Sequence, residues 1–267
     1  MPTEVKFDKV RAVITMPRHG PTAYYGCAMT AFNRLQCPVH IASGVFRYEQ
    51  GMQTLFEQCV DADINWIITT DYDTLFDEED IRALFGAIAC NPHVTAVAAL
   101  QKRRLTNQAL LYTGESRTAI TGDLIEVKHA HFGLTLIDAR NLRDLPKPWF
   151  RSIPDDEGSY GDGRCDPDVY FWRAWREAGN NVYIHPGVRI GHLEEMVTFF
   201  DAEMNCRMCT VEQYKLLMAG ADPGEVLDAV DGRVKEMEAL RKNLVKEAQN
   251  ENATCESLEP LGAGSGS

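Results

Sequence analysis

The stretch WIITTDYDT, residues 66–74, runs from apolar and β-branched side chains straight into two aspartates one residue apart. Residues 66–70 read as a buried strand, and the acidic run Asp77, Glu78, Glu79, Asp80 reads as the start of a helix. Asp71 and Asp73 therefore fall at a strand's C-terminal end, the edge at which open α/β sheets bind ligands. Residues two apart in extended backbone point the same way, so both carboxylates can face one hard cation that shares its oxygen ligands with a phosphate. The alternative is that they are turn formers capping the next helix, the commoner fate of an isolated Asp-x-Asp.

Outward from this stretch, strand and helix patterns alternate. RAVITM (11–16) reads as a first strand, followed by the loop Pro17-Arg18-His19-Gly20-Pro21 and a helix over 24–35. A strand over 38–43, a helix over 49–60, the strand over 64–70, a helix over 79–90 and a strand over 93–100 follow. Such spacing implies an α/β domain with a mostly parallel central sheet flanked by crossover helices. Residues 110–120 and 124–137 hold shorter runs broken by Gly114, Gly122 and Gly133, which suggests antiparallel hairpins. The segment 145–167, dense in Pro, Gly and Asp, reads as a lid or acceptor loop. A helix over 168–178, a strand over 181–185 and Gly191-His192-Leu193 complete the pattern. A catalytic domain over 1–200, a helical extension over 201–258 and a linker-like tail over 259–267 are expected. The stripe Leu227, Val230, Val234, Met237, Leu240, Leu244 needs a partner surface, either the catalytic domain or a second copy in a homo-oligomer.

With 27 basic against 39 acidic residues, the net charge of −12 opposes nonspecific duplex binding. No apolar run approaches the roughly 18 residues that span a bilayer, and MPTEVKFDKV lacks a signal peptide's hydrophobic core, so a cytoplasmic protein without membrane association is expected. Cysteines at 27, 37, 59, 90, 165, 206, 209 and 255 read as reduced thiols. Only Cys206 and Cys209 have metal-like spacing, and a single C-x-x-C on a helix-like stretch is better read as two neighbouring thiols.

Four elements in order carry a family resemblance. They are the βαβ start, the D-x-D of Asp71-Tyr72-Asp73, the segment HFGLTLIDARNLRDLPKPWF (131–150), and CDPDVYFWRAWREAG (165–179) followed by a strand and a histidine. In these the chain resembles the GT-A glycosyltransferases, in particular the family 2-like enzymes of bacteria and phages, over residues 11–193. The resemblance implies a GT-A fold with a smaller antiparallel acceptor-side portion and a C-terminal helical tail. It also implies a nucleotide-diphosphate sugar donor, with a UDP-sugar the first expectation, and Mn²⁺ or Mg²⁺. The acceptor would be a hydroxyl of a glycan, a protein or a modified nucleic acid.

By the same resemblance Asp73 binds the metal directly, Asp71 contacts the donor ribose or a metal-bound water at the metal end, and His192 completes the coordination, with His185 its competitor. A divalent cation there would act as Lewis acid toward the diphosphate leaving group. Asp166 and Asp168 match the acidic pair beside the acceptor, one as general base and the other as helix cap. The Asp168-Val169-Tyr170-Phe171 pattern favours Asp168, while Pro167, standing where the family has another acid, shifts weight to Asp166. Pro17 and Arg18 occupy the loop that in the family holds base and ribose, Tyr72 lies within the donor motif, and Arg47 is either a phosphate-neutralising cation or a solvated one. Arg103, in the cluster Gln101-Lys102-Arg103-Arg104, is a candidate for contact with donor phosphate or an anionic acceptor, the alternative and commoner fate of such a cluster being a solvated charge run. Ser43-Gly44-Val45 stands where family 2 members show a uracil-binding aspartate, which leaves the base open. Trp149 and Phe150, with Tyr160, are candidates for an aromatic acceptor wall, whereas Trp172 and Trp175 read as core and His129 and His131 as structural. A nucleotidyltransferase and a noncatalytic sugar-binding module are the alternatives. The former is disfavoured because no glycine-rich phosphate loop follows the first strand.

Overall fold

The structure is a computed structural model. It describes residues 7–17, 20–44, 47–102, 109–110, 120, 122, 124–161, 163–201, 203–204, 206–224 and 226. The chain forms two compact units, Met1–Leu193 and Glu194–Ser267, so the first break falls before the expected boundary at 200.

In the first unit β1 (Val10–Met16) leads into α1 (Thr22–Arg34), β2 (Val39–Ser43) into α2 (Tyr48–Asp61), and β3 (Trp66–Asp71) through a turn into β4 (Thr74–Leu75) and α3 (Glu78–Cys90). Then come β5 (Ala96–Gln101), β6 (Ile125–Glu126), β7 (Leu134–Asp138), α4 (Pro167–Glu177) and β8 (Tyr183–His192). The sheet order is β2-β1-β3-β7-β5-β8-β4, with β6 also on β8. Strands β1, β2, β3, β5 and β8 run one way and β4, β6 and β7 the other, so the sheet is mixed but mostly parallel.

Both faces are buried, which is why the central strands are continuous apolar runs. Alternation sorts their side chains: Val13 and Ile67 join one core, and Ala12, Ile14 and Ile68 the other. The first core is aromatic, with Phe132, Phe150, Phe171, Trp172 and Trp175 packed in stacked and edge-on pairs. The second holds Tyr24, Ala28 and Phe32 of α1 with Ile81, Leu84 and Phe85 of α3.

Two expectations are corrected here. The 124–137 segment does not form a separate hairpin: β7 is buried along its whole length and inserts antiparallel between β3 and β5, while β6 pairs with β8. Trp149 and Phe150 are 2% and 3% exposed, and the Trp149 indole donates to the Leu145 carbonyl at 3.1 Å, so both are core and not an acceptor wall. Trp172 and Trp175 are buried as expected, and Tyr160 is exposed.

In the second unit β9 (Met196–Phe200) pairs antiparallel with β10 (Cys206–Thr210), followed by α5 (Val211–Met218). A Thr210–Gln213 capping box starts α5. Cys206 and Cys209 thus lie on a strand, not a helix, and three residues apart on a strand they point to opposite faces: Cys206 is exposed and Cys209 buried. The apolar stripe beginning at Leu227, and with it the expected oligomer contact, lies outside the described residues. Among the described residues no helix is long and apolar enough to cross a membrane.

Candidate active site

The chain leaves β1 for β2 on one side and returns to β3 on the other, so the C-terminal edge between β1 and β3 is a topological switch point. Asp71, the last residue of β3 and paired in register with Thr15, sits there. The loops after β1, β2 and β3 converge on this edge, tied by the Gly44 N–H bond to the Met16 carbonyl at 3.0 Å. Pro21, Arg47 and Asp166, the N-cap residues of α1, α2 and α4, make no side-chain cap bond. The amino ends of α1 and α2 therefore favour an anion along this edge. In contrast, α3 closes its own start with a capping box between Asp77 and Asp80. Asp77 is the helix cap, which leaves Asp71 and Asp73 to other work.

The backbone turns at Tyr72 and Asp73, so the extended alternation that would aim both carboxylates at one point ends at Asp71. Tyr72 is exposed, while Asp73 is 6% exposed. Antiparallel pairing of β4 with β8 sets Thr74 opposite His192, and the Leu193 N–H donates to the Asp73 carbonyl at 2.7 Å. This ladder carries His192 Nε2 to 3.4 Å from Asp73 Oδ2.

His192 Nδ1 lies 3.1 Å from the Lys102 carbonyl oxygen, so Nδ1 donates and Nε2 faces the carboxylate. In that tautomer Nε2 turns its lone pair toward Asp73. The pair fits one imidazole and one carboxylate of a divalent ion's donor set. Among the described residues no group of three His, Cys, Asp or Glu side chains is assembled for a metal, so Asp71 is not gathered with the other two. The remaining positions of such an ion would fall to a ligand's phosphate oxygens and water, as they commonly do for Mg²⁺. His185 accepts the Gly187 N–H on Nδ1 at 3.1 Å and lines a separate cavity of about 380 Å³ with Asn91, His93 and Tyr183.

Behind His192 lies a polar layer. His131 contacts the Ala99 carbonyl through Nε2 at 2.8 Å and accepts the Gly133 N–H on Nδ1 at 3.0 Å. Burial pushes its pKa down to about 4, so it is a neutral structural histidine. Gly133 is required by close approach, because a Cβ there would meet His131 Nδ1 at 2.8 Å and Gln101 Oε1 at 3.0 Å. Gly133→Ala is expected to destabilise the fold by about 1–3 kcal/mol in urea denaturation; an unchanged midpoint would show that the layer yields freely.

Asp168 lies in the first turn of α4, its Oδ1 accepting the Val169 N–H at 2.8 Å. Burial raises its pKa, and the Asp166 charge raises it further. Asp166 occupies the N-cap position but turns its Oδ1 to Arg164 Nε at 2.6 Å. Pro167 fits as the first helical residue, since its φ is preset and no N–H is needed there.

Tyr48 joins these parts and was not among the sequence candidates. It begins α2 beside Arg47, and burial first, then the charges of Asp71 and Asp168, hold its hydroxyl well above the usual phenol range. One protonated phenol therefore lies within electrostatic reach of both carboxylates, linking the end of β3 to the start of α4. Beneath Asp71, the Tyr24 and Thr70 hydroxyls share a 2.6 Å hydrogen bond. The place of Tyr48 in the first turn after a parallel strand is the signal that could have found it. Pro17 lies at the end of β1 and Arg47 is exposed at the start of α2, both at this edge, whereas Arg18 and Arg103 lie outside the described residues.

No protein-family model and no curated protein sequence matches the chain. Among solved structures it is similar to A197 from STIV, at a TM-score of 0.49 and 15% identity over 73% of this chain and 92% of that one. It is also similar to GalNAc-T7 with UDP, GalNAc and Mn²⁺, at 0.45 and 12% over 69% of this chain and 43% of that one. A third is the mannosyltransferase PcManGT from Pyrobaculum calidifontis with GDP-Man and Mn²⁺, at 0.42 and 15% over 71% and 59%. These are distant likenesses of architecture, and the chemistry has to be argued from this chain's own residues.

Proposed function

We propose that the protein is a metal-dependent glycosyltransferase that moves a sugar from a nucleotide-diphosphate donor to a hydroxyl acceptor. The approach of Asp73 and His192 at the switch-point edge carries this reading, since a carboxylate and an imidazole at 3.4 Å suit a shared divalent cation. Mn²⁺ or Mg²⁺ bound there supplies Lewis-acid stabilisation of the departing diphosphate. Asp73 and His192 hold the ion, and Asp71 takes the ribose or a metal-bound water. Pro17, Arg18, Arg47, Tyr72 and Arg103 serve the donor, whose diphosphate the amino ends of α1 and α2 help to receive. Asp168 takes the acceptor hydroxyl's proton, aided by a pKa that burial holds above the usual carboxylate range. A UDP-sugar is the first donor to try, and a glycan, a protein or a hydroxylated base of modified DNA the acceptor.

Donor screening with Mn²⁺ and Mg²⁺ tests the reading through the product released. Free nucleoside diphosphate from one nucleotide sugar is expected, with thermal stabilisation by Mn²⁺ that is lost in His192→Ala. Pyrophosphate release from a nucleoside triphosphate would instead identify a nucleotidyltransferase. Metal and donor binding without turnover on any acceptor would leave a binding module.

A further inference from the structure

Arg164 ties the loop that precedes α4 to the residue that opens that helix. Its Nε donates to Asp166 Oδ1 at 2.6 Å, and its Nη1 donates to the Tyr160 carbonyl at 3.0 Å. A longer contact reaches the Gly161 carbonyl at 3.4 Å. The loop it grips is closed at its base by reciprocal backbone bonds between Ile153 and Cys165, at 3.0 and 2.8 Å. Inside the loop, Asp155 Oδ1 accepts the N–H groups of Glu157 and Ser159 at 3.1 and 2.7 Å. One guanidinium thus fastens a preformed loop, with Tyr160 exposed near its tip, to the residue that opens α4. The Arg164 and Asp166 side chains are 43% and 48% exposed, too open for the pair to add much stability.

Proximity to the acidic pair gives this contact its consequence. Asp168 lies near Asp166 at its own helix start, and the Tyr48 hydroxyl of α2 is within electrostatic reach of both Asp168 and Asp71. We propose that Arg164 is a positioning residue for the transfer: it compensates the charge of Asp166 and ties the Tyr160–Gly161 backbone to the residue that opens α4, so that Asp168 alone serves as base. The inference deepens the glycosyltransferase reading and rests on it. It also assigns unequal roles to two carboxylates that differ little in sequence, because one is paired with a cation and the other is half-buried at the start of α4.

The electrostatic part is measurable without turnover, by ¹³C-detected titration of the Asp168 carboxyl in the full-length protein. Arg164→Gln leaves Asp166 uncompensated and moves the Asp168 titration to higher pH, while Asp166→Asn moves it lower. In the Asp166→Asn background Arg164→Gln still moves it upward, because the guanidinium's own charge is lost there too. An Asp168 titration that stays in place in Arg164→Gln overturns the proposal. In turnover, Arg164→Gln is expected to move the acid limb of the kcat profile upward and to lower kcat by about tenfold, with donor KM unchanged. Arg164→Lys restores the limb but not the full kcat, since an ammonium keeps the charge and loses the fork that reaches the loop carbonyls. Wild-type protein that turns over no donor would defeat the glycosyltransferase reading, and the titration would still decide the role of Arg164.

Discussion

Asp73→Asn is expected to remove metal-dependent donor turnover, lowering kcat by at least about a hundredfold. The side chain is nearly buried and faces His192 Nε2 at 3.4 Å, so the substitution deletes one negative charge where the diphosphate charge must be balanced. An asparagine amide can donate to Nε2 in the same space, which keeps β4 paired with β8 and separates loss of function from loss of fold. Kinetics across a Mn²⁺ series, with circular dichroism as the control for folding, reads the effect. Full turnover at wild-type metal concentrations would remove Asp73 from the donor site.

The second large effect is expected at Asp168, where Asp168→Asn lowers kcat by about 10²–10⁴-fold with donor KM retained. The same change should raise stability at neutral pH. Folding raises this carboxyl's pKa, so its contribution to stability is full below the unfolded value of 3.8 and is lost as pH rises through the folded value. At pH 7 the protein holds a half-buried, partly desolvated carboxylate at a cost, and a neutral amide avoids it. For activity the sign reverses, since the base must be unprotonated and turnover falls as pH drops through the raised pKa. A variant that is both active and no more stable than wild type would contradict both halves of this account.

Local patterns made much of the frame legible. The run of residues 66–70 and the acidic start at Asp77 are β3 and the capped α3, because β-branched content and capping chemistry act over a few residues. Helices expected at 24–35, 49–60 and 79–90 appear as Thr22–Arg34, Tyr48–Asp61 and Glu78–Cys90 for the same reason. The 124–137 segment reads as a hairpin in sequence because a short buried strand looks alike whether it folds back on its neighbour or enters a distant ladder. Trp149 and Phe150 read as a surface wall because a polar loop follows them; both are buried, Phe150 against Phe56, Phe132 and Phe171 and Trp149 over the Leu145 carbonyl, contacts that no spacing in the sequence records.

By itself the sequence determined that the chain would build an α/β sheet with carboxylates at a strand's carboxyl end, since hydrophobic period and turn chemistry are local properties. The tertiary structure alone decided what those carboxylates meet. Asp73 and His192 come together through the β4–β8 ladder, Tyr48 comes within reach of Asp71 and Asp168, and Arg164 pairs with Asp166 while reaching back to its own loop. Strand order and loop closure set such contacts, and they depend on how the whole core packs rather than on any one segment.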